Sequence, residues 1–527
     1  MHRNRQGAAV STSSPYPLRK WALGVLCLSL LVISLDNTIL NTALPKLGRD
    51  LHASGSQLQW IVDSYMLVFA GMLLAAGSLG DRYGRRKALV FGLSVFGVGS
   101  LLSAASDEAS MLIASRALMG LGGAFIMPTT LSILTNVFPA EERGKAIGAW
   151  AGVSGLGIVI GPVAGGFLLE HFAWSSVFLV NVPVVALALA GAMWLVPESK
   201  DPDVSPLDPH GSVLSMVALS CLLWAIIEAP SYGWTSPSVV VAFSAAAIFG
   251  SAFVWWETHT ATPMLDLSLL RNRRFSAASF SVTLVFFGLM GTIFVLTQFL
   301  QSVLGYSPLQ AGLRVMPVAV GVIAGGPASA RLAARIGARP LVSGGLVVIA
   351  AALLLLSSAS PHSSYPLIGG SLALMGIGMG MGMAPATESI MSSLPPANAG
   401  VGSAMNDATR QVGGAIGVAV LGSVLSSMYR PQMNEIVAHL PKPLAHTAHD
   451  QVSGAVVVAQ HLGGRAGADL ADAAHAAFAS GMDAAALVAA AAVIVGALIA
   501  ARYMPDRNAA VEAAVATAAP VAQPARA

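Results

Sequence analysis

Asp36, Asp63 and Arg116 lie inside long apolar stretches of this 527-residue chain, where an ionisable side chain has little water to solvate it. An acid in such a place is expensive and marks a proton or ion path by default. Asp36 sits in Leu35-Asp-Asn-Thr-Ile-Leu-Asn-Thr-Ala-Leu-Pro45, and Arg116 opens Arg116-Ala-Leu-Met-Gly-Leu-Gly-Gly123. At about 1.5 Å per residue both fall ~8–12 Å below the same surface, so the two can meet. A carboxyl whose charge responds to pairing and burial can take up and release a proton. The plainer alternatives are a hydrated helix end for Asp36 and a permanent structural bridge for the pair. Asp63 stands only about a turn into its stretch, which leaves a hydrated end open there too. Glu388, Asp407 and Arg410 fall at the ends of two later stretches. Asp407 and Arg410 are i, i+3 on one helix face and can simply neutralise each other.

The elements that must carry these residues are membrane spans. Only 10% of the residues are charged and 55% are hydrophobic, with a mean hydropathy of +0.71; a soluble domain carries about 25% charged residues. A bilayer core of ~30 Å takes roughly 20 apolar residues per helix. The sequence offers fourteen such runs, as six, a central pair and six. They divide the chain into an N-terminal tail at 1–20, a six-helix bundle over 21–196, a linker with two further spans over 197–258, a second six-helix bundle over 259–504 and a tail at 505–527. The second bundle contains an outside loop, 430–482, read as solvated with short Ala-rich helices. His439, His446, His449, His461 and His475 lie in it, a metal site being the lesser alternative.

Of the 28 Lys and Arg, only Lys46, Arg49, Arg430, Lys442 and Arg465 fall opposite the N-terminus, while Arg116, Arg314 and Arg410 fall within spans. Positive charge stays on the cytoplasmic side, so both termini are expected in the cytoplasm, although removing the central pair would keep that parity. Arg314, at the outside start of its span, reads as an interfacial anchor. A net charge of +3 is too small to suggest nucleic acid. Cys27 and Cys221 lie in apolar runs and indicate no disulfide framework. The first apolar run reads as a retained span, since no small-residue cleavage site follows a short core. Neither a phosphate-binding Gly-x-x-x-x-Gly-Lys-[Ser/Thr] nor a His-Glu-x-x-His occurs, which disfavours an ATP-driven pump or a metalloprotease.

Between the second and third runs the chain reads Gly77-Ser-Leu-Gly-Asp-Arg-Tyr-Gly-Arg-Arg-Lys87. Leu79, Arg82, Gly84 and Arg86 recur as Leu332, Arg335, Gly337 and Arg339, with Asp81 falling on Ala334; Pro128 and Pro139 recur as Pro385 and Pro396. Such a repeat is the trace of a two-fold transporter with its substrate site between the halves. The fifth run carries Gly157-x-x-x-Gly161-Pro162-x-x-Gly165-Gly166. Glycines at i, i+4 and i+8 let another helix approach closely, and Pro162 bends the helix. The stripe is expected to seal the outside of the cavity during one half of a transport cycle.

The basic turn resembles the signature loop of the major facilitator superfamily of secondary transporters. The Leu35–Pro45 string resembles the end of span 1 in the fourteen-span drug:H⁺ antiporters, similar to EmrB/QacA-type exporters. Arg116–Gly123 and the glycine–proline stripe resemble the family's proton-coupling and exporter motifs. Trp174, Phe178 and Asn181-Val-Pro183 also match, with Ser175 and Ser176 in place of the usual Arg and aromatic, and Asn406–Gly417 looks like the same family.

The resemblance implies an all-α integral membrane protein of the major facilitator fold, with two pseudo-symmetric six-helix bundles plus two extra central helices. It implies proton-coupled efflux of drugs or other bulky hydrophobic or cationic molecules by alternating access, with no enzyme activity and no cofactor beyond the proton gradient. The implied coupling candidates are Asp36, Arg116, Asp63, Glu388 and Asp407. The implied conformational motifs are Gly77, Asp81, Arg82, Gly84, Arg85, Arg86, Gly157, Gly161, Pro162, Gly165, Gly166 and Arg410. The expected partners are a small-molecule substrate, protons and the cytoplasmic membrane bilayer, for a monomer with or without an accessory periplasmic protein. Two other readings stay open: a dedicated exporter of one endogenous metabolite, and a membrane sensor or assembly partner that does not transport.

Overall fold

A computed structural model describes residues 16–200, 208–261, 263, 267–393 and 399–504. The 1–15 and 505–527 segments of the two tails, and Pro396 of the repeat, lie outside them. Each apolar run becomes a helix because its backbone polar groups have no water to bond and must bond within the segment. In chain order the helices are α1 (Arg19–Asp50), α2 (Gly55–Tyr83), α3 (Arg85–Ala104), α4 (Ala109–Val137), α5 (Ala140–His171), α6 (Ser176–Leu179), α7 (Asn181–Leu195), α8 (Pro209–Tyr232), α9 (Pro237–His259), α10 (Arg273–Gln298), α11 (Pro308–Val315), α12 (Pro317–Ile336), α13 (Ala338–Leu356), α14 (Tyr365–Met391), α15 (Ala399–Val437), α16 (Lys442–Asp450), α17 (Val452–Leu462) and α18 (Gly464–Tyr503). A π-helical turn, Phe299–Val303, continues α10. Among the described residues thirteen spans are long and apolar enough to cross a bilayer, and the 32-residue α5 adds a shorter apolar stretch over Val159–His171. Two spans are compound: α6 runs into α7, and α11 into α12 at Pro317, whose missing N–H breaks the ladder.

Local chemistry sets the ends. Ser54 and Ser307 head α2 and α11 with reciprocal capping boxes to Gln57 and Gln310. Gly84 and Gly337 close α2 and α12 at φ of 126° and 87°, values that only glycine adopts without strain. The repeat in the sequence is thus two copies of one turn.

Helices α1–α7 pack among themselves, as do α10–α15 with α18, and α8 lies against both α2 and α15. Its partner α9 packs on α8 and is otherwise almost wholly exposed. We call the side where α1 begins and α18 ends the near side, and the other the far side. The 430–482 stretch differs from the solvated loop expected. Helix α15 runs on to Val437 and α18 begins at Gly464. Between them α16 and α17 bury Ala448, Val452, Ala455, Val458 and Ala459, because these short apolar strings cover the far ends of the bundle. No cluster of three or more His, Cys, Asp or Glu able to hold a metal occurs among the described residues.

Candidate functional site

Asp36 on α1 and Arg116 on α4 meet in the interior of the first helix group, 0% and 1% exposed. Arg116 Nη1 donates to Asp36 Oδ2 at 2.5 Å, its Nε donates to the Ile61 carbonyl on α2 at 3.2 Å, and the guanidinium lies 4.5 Å above the Tyr65 ring. The second carboxylate oxygen of Asp36 accepts from Asn181 Nδ2 at 3.1 Å, and the same amide reaches Ser100 Oγ at 3.3 Å. A buried pair persists only when its remaining donors and acceptors are also satisfied. Here five helices contribute: Asp36 from α1, Ile61 and Tyr65 from α2, Ser100 from α3, Arg116 from α4 and Asn181 from α7. Asn181 completes the site; the sequence marked it only within the Asn181-Val-Pro183 match, and no charge signal made it a partner of Asp36. Asp63, two residues beyond Ile61, is fully buried, and neither of its oxygens has a partner among the described residues.

The glycine stripe sits next to this pair. A Cβ on Gly157 would strike Ser34, one on Gly161 would strike Thr38, and one on Gly165 would stand 2.6 Å from Ile39. Thr38 Oγ1 also donates to the Gly157 carbonyl at 3.1 Å. Gly157, Gly161 and Gly165 therefore bind α5 to α1 within one helix group, which differs from the seal expected of them. The seal falls to their neighbours. Gly166 lies against Leu309 of the second group, where a Cβ would stand 2.5 Å from Cα, and Gly312 packs on the Pro162 carbonyl. The reason is helical phase: Gly166 is 100° round from Gly165 and faces the other group.

Further ties close the far side. Gln301 Nε2 donates to the Thr42 carbonyl at 2.8 Å. Gln451, between α16 and α17, donates from Nε2 to the carbonyls of Gly48 and Ala53 at 3.2 and 2.5 Å. Its neighbour Asp450 anchors the hairpin to Arg430 of α15 at 3.4 Å and meets His446 one turn back on α16 at 3.3 Å. Burial pushes the Asp450 carboxyl up, but the His449 hydrogen bond and the charges of Arg430 and His446 outweigh it and hold the group below the usual value. All hydrogen bonds between the two groups among the described residues are on this side. Toward the near side Gly144, Gly148 and Gly152 of α5 face open space.

The remaining sequence candidates form separate clusters. In the near-side turn Arg85 Nε donates to Asp81 at 2.5 Å, while Glu198 accepts from the Arg86 backbone at 3.1 Å and faces its guanidinium at 3.8 Å. Gly84 leaves room for that carboxylate, and Gly77 touches Pro128. Arg82 stacks over Tyr83 at 5.8 Å. Glu198, just past a span end, was missed because its partner is set by the fold. On the second group Asp407 and Arg410 stand 3.8 Å apart, and Arg410 also reaches Thr387 at 3.5 Å. Glu388 is exposed and has no ion pair among the described residues. Arg314 sits 3.9 Å over the Tyr306 ring.

Residues 26–418 match the sequence model of the Major Facilitator Superfamily. The chain is 38% identical over 485 residues to the multidrug efflux pump LfrA of Mycolicibacterium smegmatis, covering 92% of this chain and 96% of that one. It is 33% identical over 508 residues to the tetracenomycin C resistance and export protein of Streptomyces glaucescens, covering 95% and 94%. Among solved structures, a bacterial homologue of the human lysosomal transporter Spinster, inward-facing and occupied, superimposes with a TM-score of 0.65 at 17% identity, covering 93% and 98%. Motifs, fold and relatives agree: the chain is a multi-pass membrane transporter, not an enzyme, and it belongs to the Major Facilitator Superfamily.

Proposed function

We propose that the protein exports bulky hydrophobic or cationic drugs in exchange for protons, by alternating access. The Asp36–Arg116–Asn181 site is the single observation that carries this reading. It is a fully buried carboxylate held by three helices and packed within a turn of the contact between α1 and α5. Protonating Asp36 removes the charge that holds Arg116 and loosens α4 and α2 from α1. Through Ser34 and Thr38 the change reaches α5, whose Pro162 and Gly166 meet α11 of the other group. The far-side ties then part while the near side closes. Asp63 is the second proton carrier, since a buried charge without partners is far costlier than a paired one. The proton gradient is the only energy source, and no cofactor takes part.

The lysine and arginine count supports a cytoplasmic near side with both termini there, and on this reading the described state faces inward with its outer side closed. The efflux and resistance proteins similar to this chain support the drug reading. A second reading, export of one endogenous compound, is favoured by the likeness to the tetracenomycin C exporter along nearly the whole of both chains. Drug susceptibility and dye accumulation in cells with and without the gene separate the two. Resistance to several unrelated cationic dyes is expected; resistance confined to one compound class would favour the dedicated exporter, and no change would contradict both.

A further inference from the structure

On the outer surface of the first helix group, a groove of about 360 Å³ opens between the first two turns of α3 and the end of α7. Arg86, Lys87, Val90, Phe91 and Met193 line it. Lys87 is exposed and makes no ion pair among the described residues. Arg86 faces Glu198 only at 3.8 Å, beyond hydrogen-bond range, and is 38% exposed. No acid lines the groove.

The surface is ordered along the helix. Lys87, Phe91, Val98 and Leu102 share one face of α3, at i, i+4, i+11 and i+15, and all are exposed. Across the groove Met193 and Trp194 of α7 are 48% and 78% exposed. In a membrane-spanning chain this face meets lipid, not the space between the helix groups. Cations therefore stand at the near-side boundary, an apolar track begins one turn deeper, and Trp194 marks the interface where tryptophan anchors.

We propose that this groove binds an anionic phospholipid of the near-side leaflet. The headgroup phosphate lies on Lys87 and Arg86, and an acyl chain runs over Val90, Phe91 and Met193. A soluble phosphate would use the cations and leave the apolar track empty. The drug substrate reaches the protein between the helix groups, whereas this groove faces away from them.

Native mass spectrometry of the purified full chain tests the assignment, using phosphatidylglycerol and phosphatidylcholine with identical acyl chains. The wild type is expected to retain phosphatidylglycerol several-fold over phosphatidylcholine. Lys87→Gln, which removes one cation, and Met193→Trp, which fills the apolar track, should each cut the retained phosphatidylglycerol several-fold. Lys145→Gln, a charge removed elsewhere on the same side, should leave it unchanged, and millimolar glycerol phosphate should not displace the lipid. Thermal unfolding checks that each variant is folded. Equal retention of the two lipids, an equal loss in Lys145→Gln, an unaffected Met193→Trp, or displacement by glycerol phosphate would each overturn the proposal.

Discussion

Asp36 and Asp63 are both buried acids, yet they differ in every contact. Asp36 has a bond to each oxygen, from Arg116 and Asn181; Asp63 has none among the described residues. A residue kept for packing alone would not be a carboxyl without partners. Asp63→Leu should therefore stabilise the fold by about 1–3 kcal/mol, the cost of an unsatisfied buried polar group, while lowering proton-driven transport. A higher melting temperature with transport lost supports the role; a lower one means that Asp63 holds the fold together. Counting residues from helix ends was enough to bring Asp36 to Arg116, because depth along a helix is fixed by its rise. Asn181, Glu198 and Gln451 were not legible as partners. Each acts through a contact made by the tertiary fold, and a single amide or a terminal acid leaves no periodic trace.

At the scale of elements, adjacent glycines of α5 have opposite duties. Gly161 faces α1 within its own group, so Gly161→Leu should overpack that contact at about 1–3 kcal/mol and lower the amount of folded protein. Gly166 meets the backbone of Leu309 across the groups. Gly166→Leu should fold normally but exclude the far-closed state, giving weak transport and a more reactive cysteine at the far side. Equal loss of folded protein in both variants would remove the distinction. The stripe was visible in the sequence, but not which partner each glycine meets, since spacing gives the face and not its neighbour. The α16–α17 hairpin was hidden for a related reason: strings too short to cross a membrane look alike whether solvated or docked. Gln451→Ala deletes two bonds between the groups, about 0.5–1.5 kcal/mol each, and should raise far-side cysteine reactivity several-fold. Unchanged reactivity would show that the hairpin does not latch. Asp450 braces it with a carboxyl held below its ordinary value. That contribution is complete above the ordinary value and is lost as pH falls through the depressed one.

For the whole molecule, the apolar spans and their central pair were legible because apolar length is written directly in composition, while the ties that close the far side were not. Orientation rests on charge. With Cys27 and Cys221 removed, Thr235→Cys, in the exposed turn between α8 and α9, should react with an impermeant thiol reagent in intact cells. Lys200→Cys should not. The nearby Gly233 is the poorer site, because its φ of 93° would strain a cysteine. Labelling of both or of neither would mean that α8 and α9 do not span as assigned.

Coupling is the central claim, and it is tested most directly in proteoliposomes. There an imposed pH gradient drives uptake of a cationic dye by inserted protein, and proton flux is recorded in the same vesicles. The wild type is expected to move dye and protons in opposite directions, each dependent on the other. Asp36→Asn keeps the size of the side chain and one acceptor oxygen but cannot carry the proton. It should bind dye, retain its fold, and lose gradient-driven uptake together with dye-dependent proton flux. Dye uptake and proton flux at wild-type rates in Asp36→Asn would contradict the account.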